Sequence, residues 1–247
     1  MKLSVRPHIV NEKTNILQSK IRGAIQWMQH AYQRNPWIFM TEADIQCYFY
    51  ARLLQYSSKA QRVKVLDANS KKLRDSQFHV LTQALHAELS SSRRKATEYA
   101  DLCLLNPSKT TFWIKKSKYN RSAKEIPVWD WDWQPKDTVG IEIKFNRWIL
   151  KTKAYSHETK RTRVTKRWND FRSSLVRDFK KLKRYQRGWL IFVDQHSLFT
   201  TRQAWRDFID DMIRDANYGY AKKTLNAYCL CPRLKRAISY KAPHRSF

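Results

Sequence analysis

The stretch Thr138-Val139-Gly140-Ile141-Glu142-Ile143-Lys144-Phe145 sets a carboxylate and an ammonium group two residues apart. Val139, Ile141, Ile143 and Phe145 alternate as the apolar side of a short strand, so Glu142 and Lys144 share the opposite face. A buried charge is costly unless it has a partner, so the pair calls for an explanation. A carboxylate and an ammonium held side by side on a rigid strand can bind a divalent cation and activate its water. The same acid-x-Lys pattern recurs at Glu158-Thr159-Lys160 and Asp178-Phe179-Lys180. Glu158 lies in a polar segment without apolar alternation. Asp178 lies in a helical pattern, where residues i and i+2 do not face each other. Only the pair at Glu142 has strand context.

Two upstream acids complete a candidate constellation. Asp101 is a lone acid in the apolar second half of the predicted strand Thr97-Glu98-Tyr99-Ala100-Asp101-Leu102-Cys103-Leu104-Leu105. Glu42 lies in the first turn of a helix that Thr41 can cap, with Asp44 in a capping-box position. It is on roughly the same face as Ile45, Phe49 and Leu53. Its simplest role is to favour the helix N-terminus electrostatically. His86 and Glu88 share a face if residues 78–89 form a strand; His86 reads as structural and Glu88 as an extra acid. Glu98, three residues from Asp101, should point the other way.

These residues need elements to position them. Ile16, Leu17, Ile21, Ala24, Ile25, Met28 and Tyr32 predict a helix over 12–33, ahead of Asn35-Pro36. Residues 57–75 read as a loop or short helix, and Phe112-Trp113-Ile114 as a strand. Residues 125–137 read as a surface excursion whose Trp129, Trp131 and Trp133 could stack on bases but more often would pin a loop to the body. Trp168, Phe171, Leu175, Phe179, Leu182 and Tyr185 mark an amphipathic helix over 166–187, stopped by Gly188. A buried strand at 189–194, a helix from about Thr201 and a last strand at 225–230 follow. The order predicts an α/β fold, a central mixed β-sheet with helices on both faces.

The balance of 49 basic and 21 acidic residues gives a net charge of +28, a field that attracts polyanions, nucleic acid first. On the 166–187 helix the polar face carries Arg172, Arg177, Lys180, Lys181 and Arg184, suited to phosphates, and no acid follows Ala216. No apolar run approaches the roughly 20 residues a membrane span needs, and the N-terminus lacks a secretory h-region, so a membrane partner is not expected. The irregularly spaced Cys47, Cys103, Cys229 and Cys231 fit buried thiols in a reducing cytoplasm better than a zinc site. The expected location is cytoplasmic, with nucleic acid.

Asp101, then Glu142-x-Lys144 on a later strand, with Glu42 on an upstream helix, resembles the PD-(D/E)XK nuclease superfamily. The resemblance covers about residues 37 to 195 and implies a restriction-endonuclease-like core of order α-β-β-β-α-β. Asp101 matches the first acid, Glu142 the second, Lys144 the lysine, and Glu42 the acid many members carry on the first core helix. Ala100 stands where a proline is frequent. The long interval between Asp101 and Glu142 calls for an inserted hairpin at about 106–136. The implied organisation is an N-terminal helical extension (1–36), a nuclease-like domain (37–215) and a basic C-terminal extension (216–247).

By the same resemblance the chain is a metal-dependent endonuclease hydrolysing DNA, with Mg²⁺ as cofactor and Mn²⁺ as a substitute. Hard oxygen ligands suit Mg²⁺, which binds through one or two carboxylates plus substrate phosphate. Asp101 and Glu142, with the Ile143 carbonyl, would be the ligands, Glu42 would serve a second metal or a metal-bound water, and Lys144 would assist the attacking water. A non-catalytic nucleic-acid-binding protein and an RNA-directed nuclease of the same fold are the alternatives. Whether the chain acts as a homodimer or within a larger DNA-processing complex is not legible.

Overall fold

A computed structural model describes residues 8–56, 61–67, 73–78, 81–83, 100–104, 111–118, 125–132, 138–146, 157–218 and 224–241, with side-chain surroundings for 18–55, 100–104, 138–146, 168–218 and 225–240. Glu88, His86, Glu98, Trp133 and the segment 84–99 lie outside the described residues.

The element order is α1 (His8–Arg34), α2 (Glu42–Tyr56), β1 (Gln61–Asp67), β2 (Leu73–Phe78), β3 (Leu81–Gln83), β4 (Leu102–Leu104), β5 (Thr111–Lys118), β6 (Glu125–Asp132), β7 (Val139–Phe145), α3 (His157–Leu182), β8 (Arg187–Val193), α4 (Arg202–Asp215), β9 (Thr224–Leu230) and β10 (Ile238–Lys241). The chain is of α/β class. Its main sheet has six strands in the order β10-β9-β8-β7-β4-β3. β7, β8 and β9 run parallel, and the strands at both edges are antiparallel.

Period-two alternation divides the core between the two faces of this sheet. On β8, Trp189, Ile191 and Val193 join Ile141, Ile143 and Phe145 of β7 under α1 and α2. Leu190 and Phe192 point the other way, toward Leu175, Phe179 and Leu182 of α3 and Trp205, Ile209 and Met212 of α4. Helices therefore cover both faces, as the apolar runs of a parallel sheet require. The N-terminal segment expected as an extension supplies Ile21, Ile25, Met28 and Tyr32 to the first cluster. Within the expected C-terminal extension, β9 and β10 complete the sheet.

Several expectations change. Residues 61–67 and 73–75, expected as loop or short helix, belong to an antiparallel pair, β1 with β2. The alternation Arg62-Val63-Lys64-Val65 is a strand signal that the polarity of the segment masks. The expected hairpin within 106–136 is present as β5 and β6, and β6 includes Trp129-Asp130-Trp131-Asp132, which alternates at strand spacing. β1 and β5 pair in parallel, so the two hairpins form one four-stranded sheet, β2-β1-β5-β6. The described part of the strand around Asp101 is only Leu102–Leu104, and Asp101 directly precedes it. α3 ends at Leu182 and Gly188 lies inside β8. A Cβ at Gly188 would meet the Leu182 Cβ at 3.0 Å and the Tyr218 hydroxyl at 3.1 Å, so glycine there serves close packing and does not end the helix. Cys47 is exposed, whereas Cys103, Cys229 and Cys231 are buried. Among the described residues no helix is long and apolar enough to cross a membrane.

Candidate active site

The site follows from unequal strand lengths. β4 pairs antiparallel with β7 only as far as Leu102↔Ile141. Beyond that point β7 continues to Phe145 with one flank unpaired among the described residues, and its backbone donors there need other acceptors. Acid side chains supply them. Asp101, one step beyond the last paired residue and level with Glu142, accepts the Ile143 N–H through Oδ2 at 2.7 Å. Glu42 accepts the Phe145 N–H through Oε2 at 3.3 Å. Because N–H and C=O of one strand residue point to the same side, the Ile143 carbonyl faces this flank too.

Each acid is held in place by its own element. Thr41 Oγ1 accepts the Asp44 N–H at 3.1 Å, and Asp44 Oδ2 accepts the Thr41 N–H at 2.8 Å. This reciprocal box fixes the start of α2, and with it Glu42. Asp101 is positioned through Tyr185, whose hydroxyl accepts the Ala100 N–H at 2.9 Å. The Tyr185 ring lies over Gly140, where a Cβ would come within 2.6 Å of it. Glycine is required at 140 so that this ring can tie the segment before β4 to β7.

The charged face of β7 looks toward α3. Lys144 Nζ stands 3.3 Å from Glu42 Oε1 and 3.2 Å from Asp178 Oδ2. Lys181 Nζ stands 2.7 Å from Glu142 Oε1 and 3.0 Å from Asp178 Oδ1. Glu142 is fully buried, and its Oε2 has no hydrogen-bond partner among the described residues. Four carboxyl groups thus surround two ammonium groups, an acidic spot inside a chain of net charge +28.

Proton affinities reflect that imbalance. Burial, then the charges of Asp101 and Asp178, push the Glu142 carboxyl well above its ordinary range. Burial also raises Asp101, against the Ile143 N–H and the two lysines, and it raises Glu42 against Lys144. Lys144 and Lys181 are both held more firmly protonated: burial opposes their charge, but the surrounding carboxylates outweigh it. Every shift has the sign expected of a site with excess negative charge, which one more cation would relieve. The Cys103 thiol beside it is pushed up to about 12 by burial, against its bond to Tyr185, and is no nucleophile.

The structure therefore gathers Glu42, Asp101, Glu142 and Lys144 at one flank of β7. It adds two residues to them. Asp178 belonged to a pattern set aside because i and i+2 diverge on a helix, yet it lies within the apolar stripe of α3, between Leu175 and Leu182. An acid inside such a stripe is the signal that points to it. Lys181, expected among the phosphate-gripping side chains, turns inward to Glu142 and Asp178. Arg172 is likewise engaged, with its Nη2 2.6 Å from Asp215 Oδ2 on α4. Arg177, Lys180 and Arg184 are exposed.

Oxygen donors of this kind fit a hard divalent ion, and the unpartnered Glu142 Oε2 is a ready ligand atom. Among the described residues no three acidic, histidine or cysteine side chains already form a metal cage, and each lysine contacts two of the carboxylates. The chain matches no family model, no characterised protein and no solved structure, so the reading of the site rests on its own geometry.

Proposed function

We propose that the chain is a metal-dependent endonuclease of restriction-endonuclease-like fold that hydrolyses DNA phosphodiester bonds. The observation that carries this reading is the convergence of Asp101, Glu142, Lys144 and Glu42 on the unpaired flank of β7, in a strongly basic chain. Asp101 and Glu142, with the Ile143 carbonyl, would hold Mg²⁺ or Mn²⁺, and Glu42 would serve a second ion or its water. An ion held by these residues would supply a lowered pKa for a bound water and positive charge toward the scissile phosphate.

The remaining work falls to the protein's own groups. Lys144, kept charged by Glu42 and Asp178, presents an ammonium group that orients the attacking water and balances charge developing on phosphate oxygens. Tyr185 and Gly140 fix Asp101 against β7, so the acids need little reorganisation on binding. Arg177, Lys180 and Arg184 on α3 supply exposed cations for the DNA backbone, which makes binding steeply salt-dependent.

The test is cleavage of duplex, branched and single-stranded DNA, beside RNA, with and without Mg²⁺. Asp101→Ala and Lys144→Ala should each lower DNA cleavage by about 100-fold or more while binding persists. Normal cutting by both variants removes the proposed site. Binding of DNA without cleavage by the wild-type protein indicates a non-catalytic binder. Cleavage of RNA alone makes the enzyme a ribonuclease of the same fold.

A further inference from the structure

Lys144 and Lys181 hold unlike positions in the site. Lys144 is gripped by Glu42 and Asp178. Lys181 contacts Glu142, the most deeply buried of the acids, and also the second oxygen of Asp178. A carboxylate with no solvent exposure needs a counter-charge in the folded chain whether or not a metal has arrived. Lys181 provides one from α3: its side chain is 20% exposed, and Lys180 on the same helix and Arg184 just beyond its end are exposed.

We propose that Lys181 is a built-in substitute for the metal: it holds Glu142 in the metal-free protein and must withdraw for a divalent ion to bind. The proposal rests on the reading of the site as a metal-dependent nuclease. Once withdrawn, the ammonium group is free to meet a substrate phosphate on the basic side of α3. An ammonium group and a metal ion repel each other at one carboxylate, so Lys181 weakens metal binding while it stays. By linkage, a polyanion that draws Lys181 outward strengthens metal binding by the same factor by which metal strengthens polyanion binding. Metal loading would then be favoured when DNA is present.

Calorimetric titration of the full-length protein with Mn²⁺ alone tests this without reference to turnover. Lys181→Met should bind Mn²⁺ about tenfold or more tightly than wild type, since the competing charge is gone. A merely structural salt bridge predicts the reverse, because its loss would disorder the acids. Lys181→Arg, whose forked guanidinium grips a carboxylate through two parallel bonds, keeps the charge and should bind Mn²⁺ more weakly than wild type. It also keeps the test decisive if Lys181→Met does not fold. Lys235→Met, at an exposed lysine between β9 and β10, should leave the affinity unchanged. Equal or weaker Mn²⁺ binding by folded Lys181→Met, or equal or tighter binding by Lys181→Arg, overturns the proposal. If wild type cleaves DNA and binds Mn²⁺ but these variants fail, only the role of Lys181 falls. If wild type neither binds Mn²⁺ nor cleaves, the metal reading falls and this proposal with it.

Discussion

Strands β7 and β8 lie side by side in parallel register, with Glu142 opposite Leu190 and Lys144 opposite Phe192. All four side chains point to the same sheet face, toward the layer of α3 and α4. On β8 they enter an aromatic cluster, where Phe192 has the rings of Phe171, Phe199, Trp205 and Phe208 at centroid distances of 5.8, 5.7, 5.5 and 6.1 Å. On β7, one strand spacing away, the corresponding positions hold an acid and a lysine whose partners are the charged Glu42, Asp178 and Lys181. The difference separates two tasks. β8 and its helices supply burial that stabilises the fold, and β7 uses that rigidity to hold charges where the fold alone would favour apolar groups.

Truncation on the β8 side should show the largest stability effect. Phe192→Ala removes a fully buried ring from the aromatic cluster and should cost about 3–5 kcal/mol in urea unfolding. Cleavage per folded molecule should survive, because the charged side chains belong to β7. Loss of activity at full folding would break the separation. Gly140→Ala probes the link between the two tasks. The added Cβ would lie 2.6 Å from the Tyr185 ring, and overpacking of this sort costs about 1–3 kcal/mol. Since the Tyr185 hydroxyl holds the Ala100 N–H, the same shift moves Asp101, and kcat should fall even in the folded fraction. A thermal midpoint lowered with kcat unchanged would show that Tyr185 packs the sheet without positioning the acid.

How much of this is legible in the sequence depends on whether the signal is local. The apolar alternation of β7 and β8, the capping box at Thr41 and Asp44, and the stripe of α3 are carried by neighbouring residues, and the structure contains them. Strand pairing over distance is not local. That β4 is too short to cover Ile143 and Phe145 depends on where two separate segments stop pairing, so the reason Asp101 and Glu42 face β7 is absent from either motif. Asp178 was within reach, because an acid flanked by Leu175 and Leu182 at helical spacing contradicts its surroundings. The inward turn of Lys181 was not. A lysine bordering a basic helical face gives no indication that a buried glutamate on another element faces it. The charged alternation in β1 failed for a related reason, since polarity obscured a period that was present.

The smallest of these effects is the one most particular to the charged strand. Glu142→Gln keeps the shape of the side chain and removes its charge, and in the absence of metal it should stabilise the protein by about 1 kcal/mol at neutral pH. The opposing cost is modest, because Lys181 loses Glu142 but keeps Asp178. The pH dependence gives the sign independently. In the folded chain burial raises the Glu142 pKa well above the 4.5 of an ordinary glutamate. Between those two values the folded protein holds a proton that the unfolded chain has released, so wild-type stability falls as pH rises through that window. Below it both states are protonated and Glu142 contributes nothing; above it both are ionised and the full penalty applies. The advantage of the glutamine variant should therefore be absent at low pH, grow as pH passes upward from about 4.5 and then level off. Mg²⁺ should reverse the order, stabilising wild type more than the variant, because only wild type offers it the buried charge. A variant less stable than wild type in chelator at neutral pH would mean that Glu142 is already well balanced by Lys181, and that β7 carries its charges at no more cost than β8 carries its rings.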